Sequence, residues 1–407
     1  MKQTEMLDPR ADTIQRVALL AGVISLILCT VGAFIDPNAF FQAYLMAFLY
    51  WLAFPLGCMA IVALYHLGGG AWGFGIRRPL EAGMMTIPLM ALLFVPLLFG
   101  LPNLYPWARP AEVVADPILQ HREPYLNLPF VLIRAVIYFV AWSGGAYLLY
   151  RTSQEQDRTG DPDLPRLLGR RGRLALFFFV IAVTFSAFDC AMALDPHWFS
   201  TIYGIIFLIG DGLTGIAFAI IVLRLLSTRA PVSEVTSTQT FNDLGNLLLA
   251  FVTLWAYMNL SQFLIIWSVN LPEENPWYLR RADGGWWFFT LALVIFQFVA
   301  PFLILLARGN KRNPILLARV AIFVLFMRLI DMFWMLMPEV RRDGLVFHWL
   351  DFVTPIGVGG LWIATFIWML KRQPILPLHD HRDPRLHSAG NRGDHAAPPA
   401  GPGKARA

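Results

Sequence analysis

The stretch Leu174-Ala175-Leu176-Phe177-Phe178-Phe179-Val180-Ile181-Ala182-Val183 carries no polar side chain on any face. A membrane-spanning strand would alternate apolar and polar residues, and a surface helix in water would keep one polar side. Leu247–Val252 has the same character. Read outward, the first stretch grows into an apolar run over 172–194, close to the roughly 20 residues a helix needs to cross the hydrocarbon core. Nine further runs have this character: 16–35, 39–65, 80–100, 127–150, 199–225, 243–268, 286–307, 314–337 and 349–371. The connections are rich in turn residues, such as Asp36-Pro37-Asn38 and Asp195-Pro196-His197. The chain therefore reads as an all-α, polytopic membrane protein with about ten transmembrane helices. Of its 407 residues, 57% are hydrophobic and 14% charged, well below the quarter that is usual for soluble domains.

Lysine and arginine placement sets the expected orientation. With a cytoplasmic N-terminus, the inner segments hold most of the 32 basic residues. The segment between Arg151 and Arg173 is the richest. The expected organisation is a cytoplasmic segment over 1–15, a transmembrane domain over 16–371 and a disordered cytoplasmic tail over 372–407, with both termini inside and the chain in the inner membrane. The first run is expected to be a span rather than a cleavable signal. The net charge of +5 follows from this asymmetry and gives no sign of nucleic-acid binding. The tail histidines His379, His381, His387 and His395 match no structural zinc spacing, so no metal site is expected.

The chain's own redox capacity is small. Cys29, Cys58 and Cys190 lie on three different helices, and an iron–sulfur cluster usually takes four thiolates. There is no C-x-x-C-H motif for covalent haem. His66, His197 and His348 sit at helix ends and offer no facing pair at mid-membrane. No haem and no iron–sulfur cluster are expected in this chain.

Ionisable groups inside spans are costly and point to partners or cavities. Arg134 falls in the outer part of the fourth run, Asp189 in the outer part of the fifth and Asp211 near the middle of the sixth. Tyr257, Asn259, Ser261 and Gln262 form a polar stretch in the seventh. Gln297 is mid-depth in the eighth, Arg328 and Asp331 lie in the outer half of the ninth, and His348 and Asp351 open the tenth. Arg328 and Asp331, three apart, can pair on one helix. That pair either glues the bundle or tunes a site. Asp211, between Gly210 and Gly212, is either a neutral hydrogen-bonded acid or part of a proton path. Asp195 reads first as a turn residue or cap. The candidates for a proton path or ligand site are Asp189, His197, Asp211, Tyr257, Gln262, Arg328 and Asp331, and no catalytic residue is fixed.

Three separated motifs carry a resemblance. They are Phe188-Asp189-Cys190-Ala191-Met192-Ala193-Leu194-Asp195-Pro196-His197-Trp198-Phe199-Ser200-Thr201, then Ser261-Gln262-Phe263-Leu264-Ile265-Ile266-Trp267 with Asn270-Leu271-Pro272-Glu273-Glu274-Asn275-Pro276-Trp277-Tyr278, and Gly69-Gly70-Ala71-Trp72-Gly73 with Ile76-Arg77-Arg78-Pro79-Leu80-Glu81. Over about residues 39–371 the chain resembles the NrfD-like (polysulfide-reductase-type) membrane subunits, in particular the shorter of the two in alternative complex III, a quinol:cytochrome c oxidoreductase. The resemblance implies two four-helix bundles, helices 2–5 and 6–9, with peripheral helices 1 and 10. It also implies a non-covalent quinone or quinol site near the outer face. The implied partners are an iron–sulfur subunit, multihaem cytochrome c subunits and a second NrfD-like subunit, in a bed of membrane lipid. One departure stands out: the outer third helix, Ala91 to Phe99, offers no polar grip for a head group. The competing expectations are a membrane scaffold for peripheral redox subunits and, less favoured, a secondary transporter, against which no matching pair of interrupted spans is seen.

Overall fold

The computed structural model describes residues 9–342, 344–380 and 382–384. Ten of its helices are long and apolar enough to span a membrane: α1 (Ala11–Ile35), α2 (Pro37–Gly68), α3 (Arg77–Phe99), α4 (Leu128–Thr159), α5 (Leu164–Leu194), α6 (Tyr203–Leu226), α7 (Thr238–Val269), α8 (Trp287–Leu306), α9 (Pro314–Val340) and α10 (Leu350–Leu370). No strand occurs among the described residues. The chain is a multi-pass, all-α membrane protein.

Local chemistry sets the helix ends. The Asp36 carboxylate accepts from the Ala39 N–H at 3.0 Å, with Pro37 in the first turn of α2. Asn127 caps α4 through the Phe130 N–H at 2.9 Å. Ser237 and Thr240 form a capping box at the start of α7. Gly160, at φ 65°, ends α4 in the left-handed conformation that glycine adopts most readily. α4 and α5 run well past the apolar runs that announced them. Most of the arginine-rich segment expected between 151 and 173 is therefore helical. Polar residues can prolong a helix beyond the lipid once its hydrogen-bond ladder exists, so hydropathy marks the membrane portion and not the end. Two spans are irregular: α3 breaks at Met85–Thr86, and α8 is π-helical over Leu293–Val299.

Lipid tails are as apolar as leucine, so small residues, which let backbones approach, decide the packing. α2 and α6 form the buried axis of the molecule. They cross where a Cβ on Gly57 would fall on the Asp211 carbonyl and the Gly215 backbone, and one on Gly215 would fall on Gly57. α3 and α5 pack on α2, with α4 against α5 and α3, while α7 and α9 pack on α6, with α8 against α7 and α9. α1 pairs with α10 through Gly22 and Gly360 and leaves Ile14, Leu20, Ile24 and Val31 exposed. α10 in turn joins α2. The Trp51 indole donates to the Pro355 carbonyl at 2.7 Å, and Trp362 packs on Trp51, Phe54 and Phe218.

The start of the expected tail is packed rather than loose. Gln373, Leu376, Asp380 and Asp383 are buried against a polar group at one end of α2, α3 and α4. Arg77 pairs with Glu81 at 2.9 Å and with Asp380 at 2.7 Å. Arg78 pairs with Glu81 at 2.5 Å and with Asp157. The Gln373 amide donates to the Arg78 carbonyl at 2.7 Å. The physical reason is charge: two buried arginines recruit carboxylates, and residue 380 supplies one. The tail from 385 onward, with His387 and His395, lies outside the described residues, as does His381.

Candidate functional site

The seven candidates separate into three groups, with one residue apart from all of them. The first group forms where α4 and α5 meet near the end of the bundle that carries His197. Arg134 grips Asp189 with two parallel hydrogen bonds, Nε to Oδ2 and Nη2 to Oδ1, each 2.8 Å. This fork geometry is among the stronger protein interactions. The Tyr138 hydroxyl also donates to Asp189 Oδ2 at 2.8 Å. Arg134 Nη1 donates to the Tyr125 carbonyl at 2.8 Å, and the guanidinium lies 3.8 Å from the centre of the Tyr125 ring. Burial, ahead of the nearby Asp189 charge, pushes the Tyr125 hydroxyl up to about 12.

Asp189 and Tyr138 face a small cavity of about 30 Å³ whose wall is otherwise aromatic and aliphatic, including Phe48, Phe94, Tyr105, Trp107, Phe139 and Trp142. The indole N–H groups of Trp107 and Trp142 are buried and have no hydrogen-bond partner among the described residues. An unmade hydrogen bond on a buried donor costs about 1–3 kcal/mol. The wall thus holds two orphaned donors beside one carboxylate, the phenols of Tyr105 and Tyr138 and the Ser186 hydroxyl, a mainly apolar lining with a few polar groups. The space admits one or two water molecules. A ring-sized molecule would need wall side chains to move aside. This site lies within α2–α5, the bundle whose third helix offers no polar side chain near that face. α4 and α5 supply the polar groups instead, while Phe94 and Leu97 of α3 supply apolar wall.

The second group lies in the other bundle. Arg328 pairs with Asp331, and the Trp255 indole donates to Asp331 Oδ2 at 3.0 Å. Gly210 makes room for the guanidinium, because a Cβ there would fall on Arg328. This brings Arg328 beside the segment that carries the buried Asp211. Among the described residues, Arg328 Nε and Asp331 Oδ1 have no hydrogen-bond partner, nor does either amide atom of Gln297 in the π-helical part of α8.

The third group caps the His197 end. The Asp195 carboxylate accepts from the His197 backbone N–H at 3.1 Å, the turn role read from sequence, and also meets Arg280. Arg280 continues to Glu339. Arg281 reaches Glu339 at 2.6 Å and lies 3.4 Å from the centre of the Trp277 ring. Burial alone would raise the Asp195 carboxyl, but the Arg280 hydrogen bond and charge outweigh it and hold the group below its ordinary value. Gln262 joins here, accepting from Ser200 Oγ at 3.0 Å and donating to the Tyr278 hydroxyl at 3.3 Å. The half-exposed His197 ring meets Asp116 at 2.7 Å through Nε2. Tyr257 joins none of the three. It is 59% exposed on the outer surface of α7, where a tyrosine contacts lipid or another subunit rather than an interior site.

Sequence reasoning missed Tyr138, Trp107, Trp142 and the Arg280–Glu339 link. Aromatic residues are common throughout this chain, so nothing in the sequence distinguishes those in the cavity wall. Arg134 and Asp189 were each visible as charges within spans; their pairing required helix contacts. The fold and the site define a ten-span membrane protein with an aromatic cavity beside a buried ion pair. Compared with known proteins, the chain matches no family model and no curated protein sequence.

Proposed function

We propose that this chain is an integral membrane subunit of a quinol-oxidising electron-transfer complex of the alternative complex III type, with its quinone-contacting site at the cavity between α2, α3, α4 and α5. The observation that carries the reading is that two tryptophans with orphaned indole N–H groups share one cavity wall with Tyr138 and Asp189, while Arg134, outside the wall, grips Asp189. A quinone presents two carbonyl acceptors and a flat ring, which unpaired N–H donors and aromatic faces suit. A bound quinol would supply two electrons and two protons. The chain's part would be to orient the ring between aromatic walls and accept the two protons one after the other, the second once Asp189 has passed the first onward. Tyr138 would take a proton on its phenolic oxygen as its own hydroxyl proton moves to Asp189 Oδ2. Arg134 would hold the carboxylate in register and balance its charge. His197 and Asp116, on the same face, offer an onward acceptor close to water. The electrons would pass to partner subunits that carry iron–sulfur and haem centres.

A second reading has its own observation. A 30 Å³ cavity suits a membrane scaffold that anchors redox subunits without handling quinol. Affinity purification from native membranes in mild detergent, with haem staining, mass spectrometry and quinone extraction, separates the two. The proposal expects a multihaem cytochrome, an iron–sulfur protein and bound quinone. Redox partners without quinone would favour the scaffold. Recovery of the chain alone, with neither, would remove both readings.

A further inference from the structure

A groove of about 360 Å³ runs along the outside of α5 and the adjoining end of α2, lined by Leu67, Arg173, Leu176, Phe177, Val180 and Ile181. It lies at the opposite end of the molecule from His197 and shares no residue with the aromatic cavity. From this groove we infer a binding site for an anionic phospholipid, with the headgroup phosphate on Arg173 and Arg170 and one acyl chain in the groove.

Helical spacing supports this assignment. At 1.5 Å rise per residue, Phe177 lies roughly 6 Å and Ile181 roughly 12 Å deeper than Arg173. The apolar lining therefore begins one turn below the charge, as headgroup and acyl chain are arranged in a phospholipid. Arg170, three residues before Arg173, shares its side of the helix and continues the charge toward water. Both arginines are exposed, and neither has an ion-pair or hydrogen-bond partner among the described residues. Arg171, between them, is occupied with the Leu148 carbonyl and Thr152. Arg77 and Arg78, near the same end, are by contrast matched to carboxylates within the fold. Two uncompensated cations at the lip of an apolar groove are complementary to a phosphodiester above an acyl chain, and basic sites between spans are recognised headgroup sites. Phe177, 59% exposed, and Leu67, 38% exposed, both line the groove.

The test uses the full-length protein extracted from membranes that contain both phosphatidylglycerol and phosphatidylethanolamine. After extensive detergent exchange, retained lipid is quantified per chain. The wild-type protein is expected to keep about one phosphatidylglycerol per chain, enriched at least severalfold over its share of the membrane. R170Q/R173Q should lose that enrichment, and Val180→Trp, which fills the groove but keeps both arginines, should lose it as well. Both variants should keep the wild-type helical spectrum and elution volume. Retention in membrane proportions by the wild type, or unchanged enrichment in both variants, would overturn the assignment. Should the variants fail to fold, spin-labelled phosphatidylglycerol and phosphatidylcholine bound to the wild type decide the matter. A larger immobilised fraction for the anionic lipid that shrinks with added salt supports the site, and equal fractions refute it.

Discussion

At the scale of single residues, the Asp189 carboxylate has two tasks that substitution can separate. Removing one member of a buried ion pair leaves the other charge uncompensated and costs about 3–5 kcal/mol. Tyr138→Phe removes one hydrogen bond to a charged group, about 1.5–3 kcal/mol, and leaves the ion pair whole. Asp189→Asn should therefore lower the unfolding temperature in detergent more than Tyr138→Phe does. If Tyr138 is the proton acceptor, Tyr138→Phe should nonetheless cut quinol oxidation by the assembled complex at least tenfold. A variant that is destabilised yet fully active would place Tyr138 outside the chemistry. Asp195 gives a pH dependence whose sign is fixed. Its folded-state value is depressed, so the stability it contributes is present above the unfolded value, near 3.9, and is lost as pH falls through the folded one. Acidification below about pH 4 should loosen the His197 end, as read by proteolysis of the 195–202 and 270–286 connections. Arg280→Gln should move that onset to higher pH.

At the scale of helices, the crossing of α2 and α6 is the tightest constraint. A side chain on Gly57 has no space against the Asp211 carbonyl, and overpacking in a filled core costs typically about 1–3 kcal/mol. Gly57→Val should lower the unfolding temperature markedly, whereas Gly144→Val, at a site with nothing within 4 Å, should leave it nearly unchanged. Equal effects would show that the crossing is not tight. The ten spans were legible in the sequence because lipid imposes a length and a composition on any helix that crosses it. Helix partners were less legible. α2 and α6 are apolar all round, so periodicity names no buried face, and glycine positions alone do not say which two glycines meet. The ends of α4 and α5 were misjudged for the complementary reason, since polar residues continue a helix into water without any hydropathy signal.

At the scale of the molecule, two polar ends enclose an apolar middle that holds two distinct buried ion pairs, Arg134–Asp189 and Arg328–Asp331. Charges in spans marked all four residues in the sequence, but only Arg328 and Asp331, three apart on one helix, could be read there as a pair. Which pair borders a cavity was not marked, because the cavity wall is aromatic and its residues are scattered over α2–α5 and the connection between α3 and α4. The packed residues 373–380 and 382–384 add a clasp over Arg77 and Arg78. Removing the chain from residue 373 onward should expose those arginines and lower the unfolding temperature by several degrees in detergent; an unchanged temperature would mean that Glu81 and Asp157 suffice. The central proposal is that the α2–α5 cavity contacts quinone. Its most direct test is photolabelling of the purified complex with an azido-quinone, followed by peptide mapping. Label is expected in the peptides that hold Phe94, Trp107, Tyr138 or Trp142, competed away by excess quinone and reduced in Asp189→Asn. Label confined to α6–α9, or insensitive to competition, would contradict it.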